Sequence, residues 1–267
     1  MREICVIAIA ATGTYGAAMK NPVVIIGATS ENGRELCKRL ASRGSDLVLA
    51  GRNLEALEAL RELCRMHYKC ESEGVVCDAS SVLSRNDVCE RCVAVANGSI
   101  SGIIVCQGYT PSKKAADQGS HEQRMTIDIN CTSVVMVPEA AARYFAHRKS
   151  GFIAAMSSVA GDRGRQVNYV YGAAKGALAT YMQGLRCQLW DHGVHVLTIK
   201  PGVITTPATM KVYGGRPAFG ASPRRVASDI EWALQCRVPV LYTPWWWRWV
   251  MCIVCILPNW LCARLGL

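Results

Sequence analysis

Ser158, Tyr171 and Lys175 could together deliver a proton. Tyr171 and Lys175 stand four apart, so a helix would place them on one face with their heads within reach of each other. Ser158 follows the apolar run Phe152-Ile153-Ala154-Ala155-Met156, where a buried strand would open into a loop. A phenol beside an ammonium has its anion stabilised, which lowers its pKa from about 10 towards working pH. Such a phenol can protonate an alkoxide as it forms, and the serine hydroxyl can donate to the same oxygen. A Tyr-x-x-x-Lys pair alone is equally ordinary surface decoration. The surrounding elements decide between the two.

Those elements alternate. Val23-Val24-Ile25-Ile26 is a continuous β-branched run, suited to a central parallel strand buried on both faces. Gly27-Ala28-Thr29-Ser30-Glu31-Asn32-Gly33 follows, and then a helical pattern carries Leu36 and Leu40 inward with Arg34, Lys38 and Arg39 outward. A strand, a glycine turn and a helix N-terminus make an anion site fit for a pyrophosphate. The next strand, Leu47-Val48-Leu49-Ala50, ends at Gly51-Arg52-Asn53, where a doubly wound fold reaches the adenosine ribose. An arginine there accommodates a 2′-phosphate, so Arg52 favours NADP(H) over NAD(H), which stays as the second choice.

The spacing then predicts a helix over 54–68, a third strand over 74–78 ending at Asp78, a helix over 84–95 and a fourth strand running into Gly108. It also predicts helices over 124–137 and 139–148, the Phe152–Met156 strand, the Tyr171 helix to about Trp190 and a sixth strand over 194–199 closed by Lys200-Pro201-Gly202. Asn130 falls mid-helix, an awkward place for an amide without a buried task. This alternation implies a parallel sheet with helices on both faces. Nothing marks a linker or a repeat, so residues 19–242 read as one domain, with 1–18 a disposable extension and 243–267 a tail.

The composition agrees. About half of the 267 residues are apolar, and the formal charge of +10 favours anionic partners: a phosphorylated cofactor or phospholipid headgroups. No basic block is interleaved with aromatics, which places nucleic acid last. The fourteen cysteines are scattered through apolar runs as small hydrophobes, and the pairs Cys89/Cys92 and Cys252/Cys255 lie too far apart for one zinc site. No metal is expected. Thiols kept reduced inside a cell, in the cytoplasm, are the expectation.

The Gly27–Gly33 turn, Asp78, Gly108, Asn130, Ser158, Tyr171, Lys175 and Pro201-Gly202 together resemble the short-chain dehydrogenase/reductase family over residues 22 to about 235. The resemblance implies a single-domain Rossmann fold, hydride transfer between a nicotinamide cofactor and a carbonyl or alcohol, and a homo-oligomer. It also implies roles. Tyr171 would be the acid/base, Ser158 would polarise the carbonyl, and Lys175 would bind the nicotinamide ribose and lower the Tyr171 pKa. Asn130 would hold a proton-relaying water. Gly27, Thr29, Ser30, Asn32, Gly33, Arg52, Asn53, Asp78 and Gly108 would contact the cofactor, as would Pro201, Gly202, Ile204 and Thr206. Two departures stand out: Glu31 replaces the middle glycine of Gly-x-x-x-Gly-x-Gly, and Val105-Cys106-Gln107-Gly108 replaces Asn-Asn-Ala-Gly.

Within the family the chain resembles the branch that reduces a 2-keto furanosyl polyprenyl phosphate, which implies a partner oxidase subunit. The supporting stretches are 156–163, 168–172 and the tail from Tyr242. Arg163 and Arg165, on the loop bordering the substrate mouth, could then bind a lipid phosphate. A long-chain 3-oxoacyl or 3-ketosphinganine substrate keeps the same chemistry, and a non-catalytic nucleotide-binding scaffold is the reading from another class. Residues 205–222, rich in Gly and Pro, read as a lid. The run Trp245–Leu257 is short of the roughly 20 residues that span a bilayer. Its clustered Trp with Arg248 suits a peripheral membrane boundary, or packing on the body or a second subunit.

Overall fold

Alternate residues of the first strand divide the core. The computed structural model describes residues 19–78, 87–109, 119–166, 168–217 and 219–265. The expected extension 1–18 lies outside them. Strand β1 (Val23–Ile26) is buried throughout. Val23 and Ile25 pack on one face of the sheet and Val24 and Ile26 on the other, which is why a run without polar alternation belongs here.

Seven strands form one parallel sheet: β1, β2 (Leu47–Gly51), β3 (Ser72–Val76), β4 (Gly102–Val105), β5 (Phe152–Met156), β6 (His195–Pro201) and β7 (Val240–Thr243), in the order β3-β2-β1-β4-β5-β6-β7. This is the doubly wound α/β arrangement that the alternation predicts. The order reverses between β1 and β4, and the crevice at that switch point is where such sheets bind ligands.

On one face lie α1 (Glu31–Ala41) and α2 (Leu54–Tyr68); α3 (Val88–Val95) is on the other. Leu36, Leu49 and Leu57 are fully buried on the first face, each contributing about 1.5–3 kcal/mol by transfer from water. The chain continues through α4 (Ser120–Ile127), a π turn (Asp128–Thr132), α5 (Ser133–Arg148) and α6 (Tyr169–Gln188). The two helices expected over 124–148 are thus joined through the π turn, and the break comes at Asn130 rather than at Pro138, which lies inside α5.

Residues 205–222 hold a short helix, α7 (Pro207–Tyr213), capped by Thr206, and are tied to the body by an Ile204–Ala221 bridge. They are more structured than a bare lid loop. α8 (Pro223–Gln235) packs on α1, and its buried Glu231 pairs with Arg39 and with Arg43 at 2.9 Å. Strand β7 was not anticipated: it carries the sheet through Thr243, one residue past the expected boundary of the domain. Beyond it are α9 (Trp247–Ile256) and α10 (Asn259–Leu265).

Candidate active site

The glycine turn is closed by its own backbone. Gly27 has φ +79°, a conformation an L side chain rarely adopts. Ser30 caps α1, donating to the Gly27 carbonyl at 2.8 Å and accepting from the Gly33 amide at 3.1 Å. A Cβ on Gly33 would fall 2.3 Å from the Gly27 carbonyl oxygen, so only hydrogen fits where helix meets strand. The N-terminus of α1 therefore opens into the crevice. Asn32 there has a buried Oδ1 with no partner, while its amide reaches the Met156 sulfur at 3.8 Å. Glu31 lines the same crevice, so its departure from glycine is felt at the site.

The triad comes from two neighbouring pieces. Ser158 leaves the end of β5 and Tyr171 and Lys175 lie on the first turns of α6. Gly161 and Gly172 let the loop and helix approach: a Cβ on Gly161 would meet the Gly176 amide at 2.6 Å, and one on Gly172 the Ala160 carbonyl at 2.8 Å. Ser157 locks the pair by donating to the Lys175 carbonyl at 2.8 Å. The Lys175 ammonium donates to the Met156 carbonyl at 2.8 Å and stands 5.8 Å from the centre of the Tyr171 ring.

The electrostatics correct the expectation from sequence. Burial pushes the Tyr171 phenol above its usual value, outweighing a hydrogen bond with Ser158 and the Arg165 charge, which pull it down. Lys175 is itself pushed down to about 8 by burial, and is not what tunes the phenol here. Desolvation is the larger effect because both heads sit inside the protein. Tyr171 therefore keeps its proton at neutral pH, as a proton donor must.

Ser158, Arg165, Tyr171 and Lys175 share the wall of one cavity of about 460 Å³. Ser30, Asn32 and Gly108 border it from the glycine-turn side, and Pro201, Gly202, Ile204 and Thr206 from the end of β6. Gly27, Thr29 and Gly33 lie behind that wall as the turn's frame. Arg52 is exposed past the end of β2, and Asp78 is half-buried just after β3. Asn53 caps α2, its Oδ1 accepting from the Ala56 amide at 2.9 Å.

Asn130 is fully buried behind the cavity. Its Oδ1 accepts from the Tyr109 amide at 3.0 Å, and its Nδ2 donates to the Tyr109 and Thr126 carbonyls at 2.8 and 2.9 Å. No side-chain N–H is left to hold a water. Arg163 points away from the cavity: it donates to the Cys255 carbonyl at 2.8 Å and to Asn259 Oδ1 at 2.7 Å, fastening the tail.

Gln107 and Trp247 are among the wall residues that the sequence reading did not single out. Gln107 bonds Ser133 at 2.9 Å and so holds the departing Cys106-Gln107-Gly108 turn to α5. Trp247 enters the cavity from α9, its ring so close to Gly202 that a Cβ there would fall 1.9 Å from the indole nitrogen. That nitrogen is buried without a hydrogen-bond partner. Nothing local marks Trp247 out from its neighbours in a run of three tryptophans.

A doubly wound parallel sheet with a glycine turn at its switch point, and Ser, Tyr and Lys on one cavity, defines a nucleotide-dependent oxidoreductase. The profile of the family described as short chain dehydrogenase matches residues 21–216, and the chain belongs to that family. An uncharacterised oxidoreductase of Staphylococcus epidermidis is 31% identical over 212 residues, covering 79% of this chain and 89% of that protein. Another from Mycobacterium tuberculosis is 29% identical over 245 residues, covering 91% and 96%. Among solved structures, a short-chain dehydrogenase from Sphingobium yanoikuyae in complex with NADPH gives a TM-score of 0.77 at 24% identity, covering 87% of this chain and 92% of that one. The bulky-bulky ketone specific alcohol dehydrogenase from Comamonas testosteroni gives 0.74 at 21%, covering 89% and 95%. The chain is accordingly an NAD(P)-dependent oxidoreductase acting between carbonyl and CH–OH groups.

Proposed function

We propose that this protein is an NADPH-dependent reductase of an apolar carbonyl compound, with Tyr171 as the proton donor. The observation that carries the reading is the convergence of Ser158, Tyr171 and a buried Lys175 on one cavity. The cradle suits a dinucleotide: a turn that only glycine fits, a helix N-terminus facing the crevice and an unpartnered Asn32 Oδ1. Ser30, Asn32, Gly108 and the Pro201–Thr206 segment would hold it, with Arg52 taking a 2′-phosphate. A bound nicotinamide supplies the hydride.

Ser158 donates a hydrogen bond to the substrate oxygen, and Tyr171 passes its proton to that oxygen as the alkoxide forms. Lys175 keeps a positive charge beneath the Met156–Ser158 turn. Asn130 is a positioning residue that fixes the Gly108–Tyr109 wall.

Met156, Val159, Val203, Pro207 and Trp247 make the rest of the wall largely apolar, and among the described residues Arg165 alone brings a guanidinium to it. This favours a bulky apolar ketone, with a phosphate-bearing lipid keto-sugar as the finer assignment and a long-chain 3-oxo lipid as its rival. Mass spectrometry of lipids co-purified with the protein, with and without NADPH, separates them. The test of the chemistry is Tyr171→Phe: NADPH binding persists while ketone-dependent NADPH oxidation falls by at least about a hundredfold. Turnover that survives this substitution overturns the reading.

A further inference from the structure

The tail helices α9 and α10 bury a few residues against the protein and give the rest to solvent. Met251 and Cys262 are buried against the body, and Trp247 reaches the cavity. Trp245, Trp249, Ile253, Ile256 and Trp260 are each 60–79% exposed. Trp249, Ile253 and Ile256 recur at spacings of four and three along one face of α9, Trp245 stands just before that helix, and Trp260 adds an exposed ring on α10. An exposed apolar patch of this extent marks an interaction surface.

Charge chooses the partner. From Trp232 to Leu267 the sequence carries Arg237, Arg248 and Arg264 and no Asp or Glu. Arg264 lies 5.5 Å from the centre of the Trp260 ring. A second copy of this face would set arginine against arginine. An anionic bilayer surface offers phosphates to the arginines and an interfacial layer that tryptophan prefers. α9, at 10 residues, is about 15 Å long against a hydrocarbon core of about 30 Å, so it lies along the surface. No helix among the described residues is long and apolar enough to cross.

The two tail helices are tied to the loop beside the site. Arg163 holds the end of α9 and the start of α10, and its neighbour Asp162 bonds Lys200 at 2.5 Å and the Tyr242 hydroxyl at 2.9 Å. Ser158 and Tyr171 flank that same loop in the chain. We infer that the outward face of α9–α10 docks on an anionic lipid surface and holds the cavity walled by Trp247 beside it, so that an apolar carbonyl substrate passes from bilayer to site. The delivery step rests on the proposed reductase; the docking does not.

The test uses the full chain and vesicles of phosphatidylcholine, alone or mixed with phosphatidylglycerol. The wild type sediments with the anionic vesicles. Trp249→Ser with Ile253→Ser reduces that partition at least tenfold, and Arg248→Glu removes the preference for anionic over neutral vesicles. Both variants keep the wild-type melting temperature and NADPH binding, since none of the three positions lines the cavity. Wild-type protein that stays in the supernatant with both lipids overturns the inference. So does a double variant that sediments unchanged, or one that becomes monomeric by light scattering while its vesicle partition stays the same, which makes the face a subunit contact. Reduction of a water-soluble ketone is followed separately: its absence in the wild type removes the reductase reading and leaves the sedimentation result standing.

Discussion

The two ends of the cleft are built in opposite ways. At the glycine-turn end, seven consecutive residues from Gly27 to Gly33 close on themselves, and the tightest contact is backbone on backbone. At the other end the wall is gathered from β6, α7 and α9, held together by side chains 38 to 96 residues apart through Asp162 and Arg163. The first construction leaves no room for an atom; the second can change shape by exchanging a latch or a wall residue. A fixed cofactor and a variable substrate call for that division.

Gly33→Ala tests the rigid end and should have the largest effect on cofactor binding. The new methyl lies 2.3 Å from the Gly27 carbonyl oxygen and 2.9 Å from the Ala28 Cα, both of them backbone atoms. Relief requires moving β1 or α1, an overpacking cost of about 1–3 kcal/mol. NADPH affinity, read by titration of intrinsic fluorescence, should fall by more than about tenfold, since the α1 amides swing away from the pyrophosphate. Unchanged affinity would show that the turn tolerates what the geometry forbids.

Between the two ends sits Lys175, and pH sharpens its role. Burial brings its pKa down to about 8, from about 10.4 in the unfolded chain. Above pH 8 the folded protein loses the ammonium, so kcat/KM for ketone reduction should fall up to tenfold per pH unit beyond that point. Stability moves the other way. Between pH 8 and about 10.4 the unfolded chain still binds a proton that the native state has released, so the contribution of Lys175 to unfolding free energy rises with pH. Subtracting the pH-dependent denaturant melts of Lys175→Met from those of the wild type isolates that contribution. A difference curve flat over this window would mean that the lysine is not desolvated.

What the sequence made legible follows the same division. β1, the Gly27–Gly33 turn, Tyr171 and Lys175 were readable because each depends on neighbours within a few residues: β-branched burial, a cap, a four-residue helical spacing. Ser158, Tyr171 and Lys175 do line one cavity. Arg163 was misplaced because its partners, Cys255 and Asn259, lie more than ninety residues away, and no local pattern announces a latch of that reach. The direction of the Tyr171 shift failed for another reason. Spacing shows that an ammonium is near, but desolvation depends on what covers both groups.

Trp247→Ala probes the adaptable end. It removes a wall that reaches the cavity from the tail and frees the surface of Gly202. The apparent KM for a bulky ketone should rise about five- to tenfold, equivalent to roughly 1–1.4 kcal/mol of lost contact, with kcat little changed. Trp247→Phe keeps the ring without the indole N–H. The part of the effect already present in Phe belongs to the unpartnered N–H and the larger ring system, and the further loss in Ala to the aromatic ring. A loss of kcat in both would instead tie the tail to the chemistry and break the division drawn above.

Arg163→Ala should do least to turnover, although its neighbour Arg165 lines the cavity. Its two hydrogen bonds are exposed, so together they contribute about 1 kcal/mol, a shift of roughly 2–4 °C in Tm by calorimetry. Reduction of a small water-soluble ketone should stay within about twofold of the wild type, because no bond is lost on the cavity wall. Arg165→Ala, by contrast, should raise KM for a phosphate-bearing substrate by about tenfold and leave Tm in place. The pair separates latch from binding group on a single loop. If the two phenotypes exchanged, the tail would be fastened by something other than Arg163, and the cation facing the substrate would be the one that the geometry turns away.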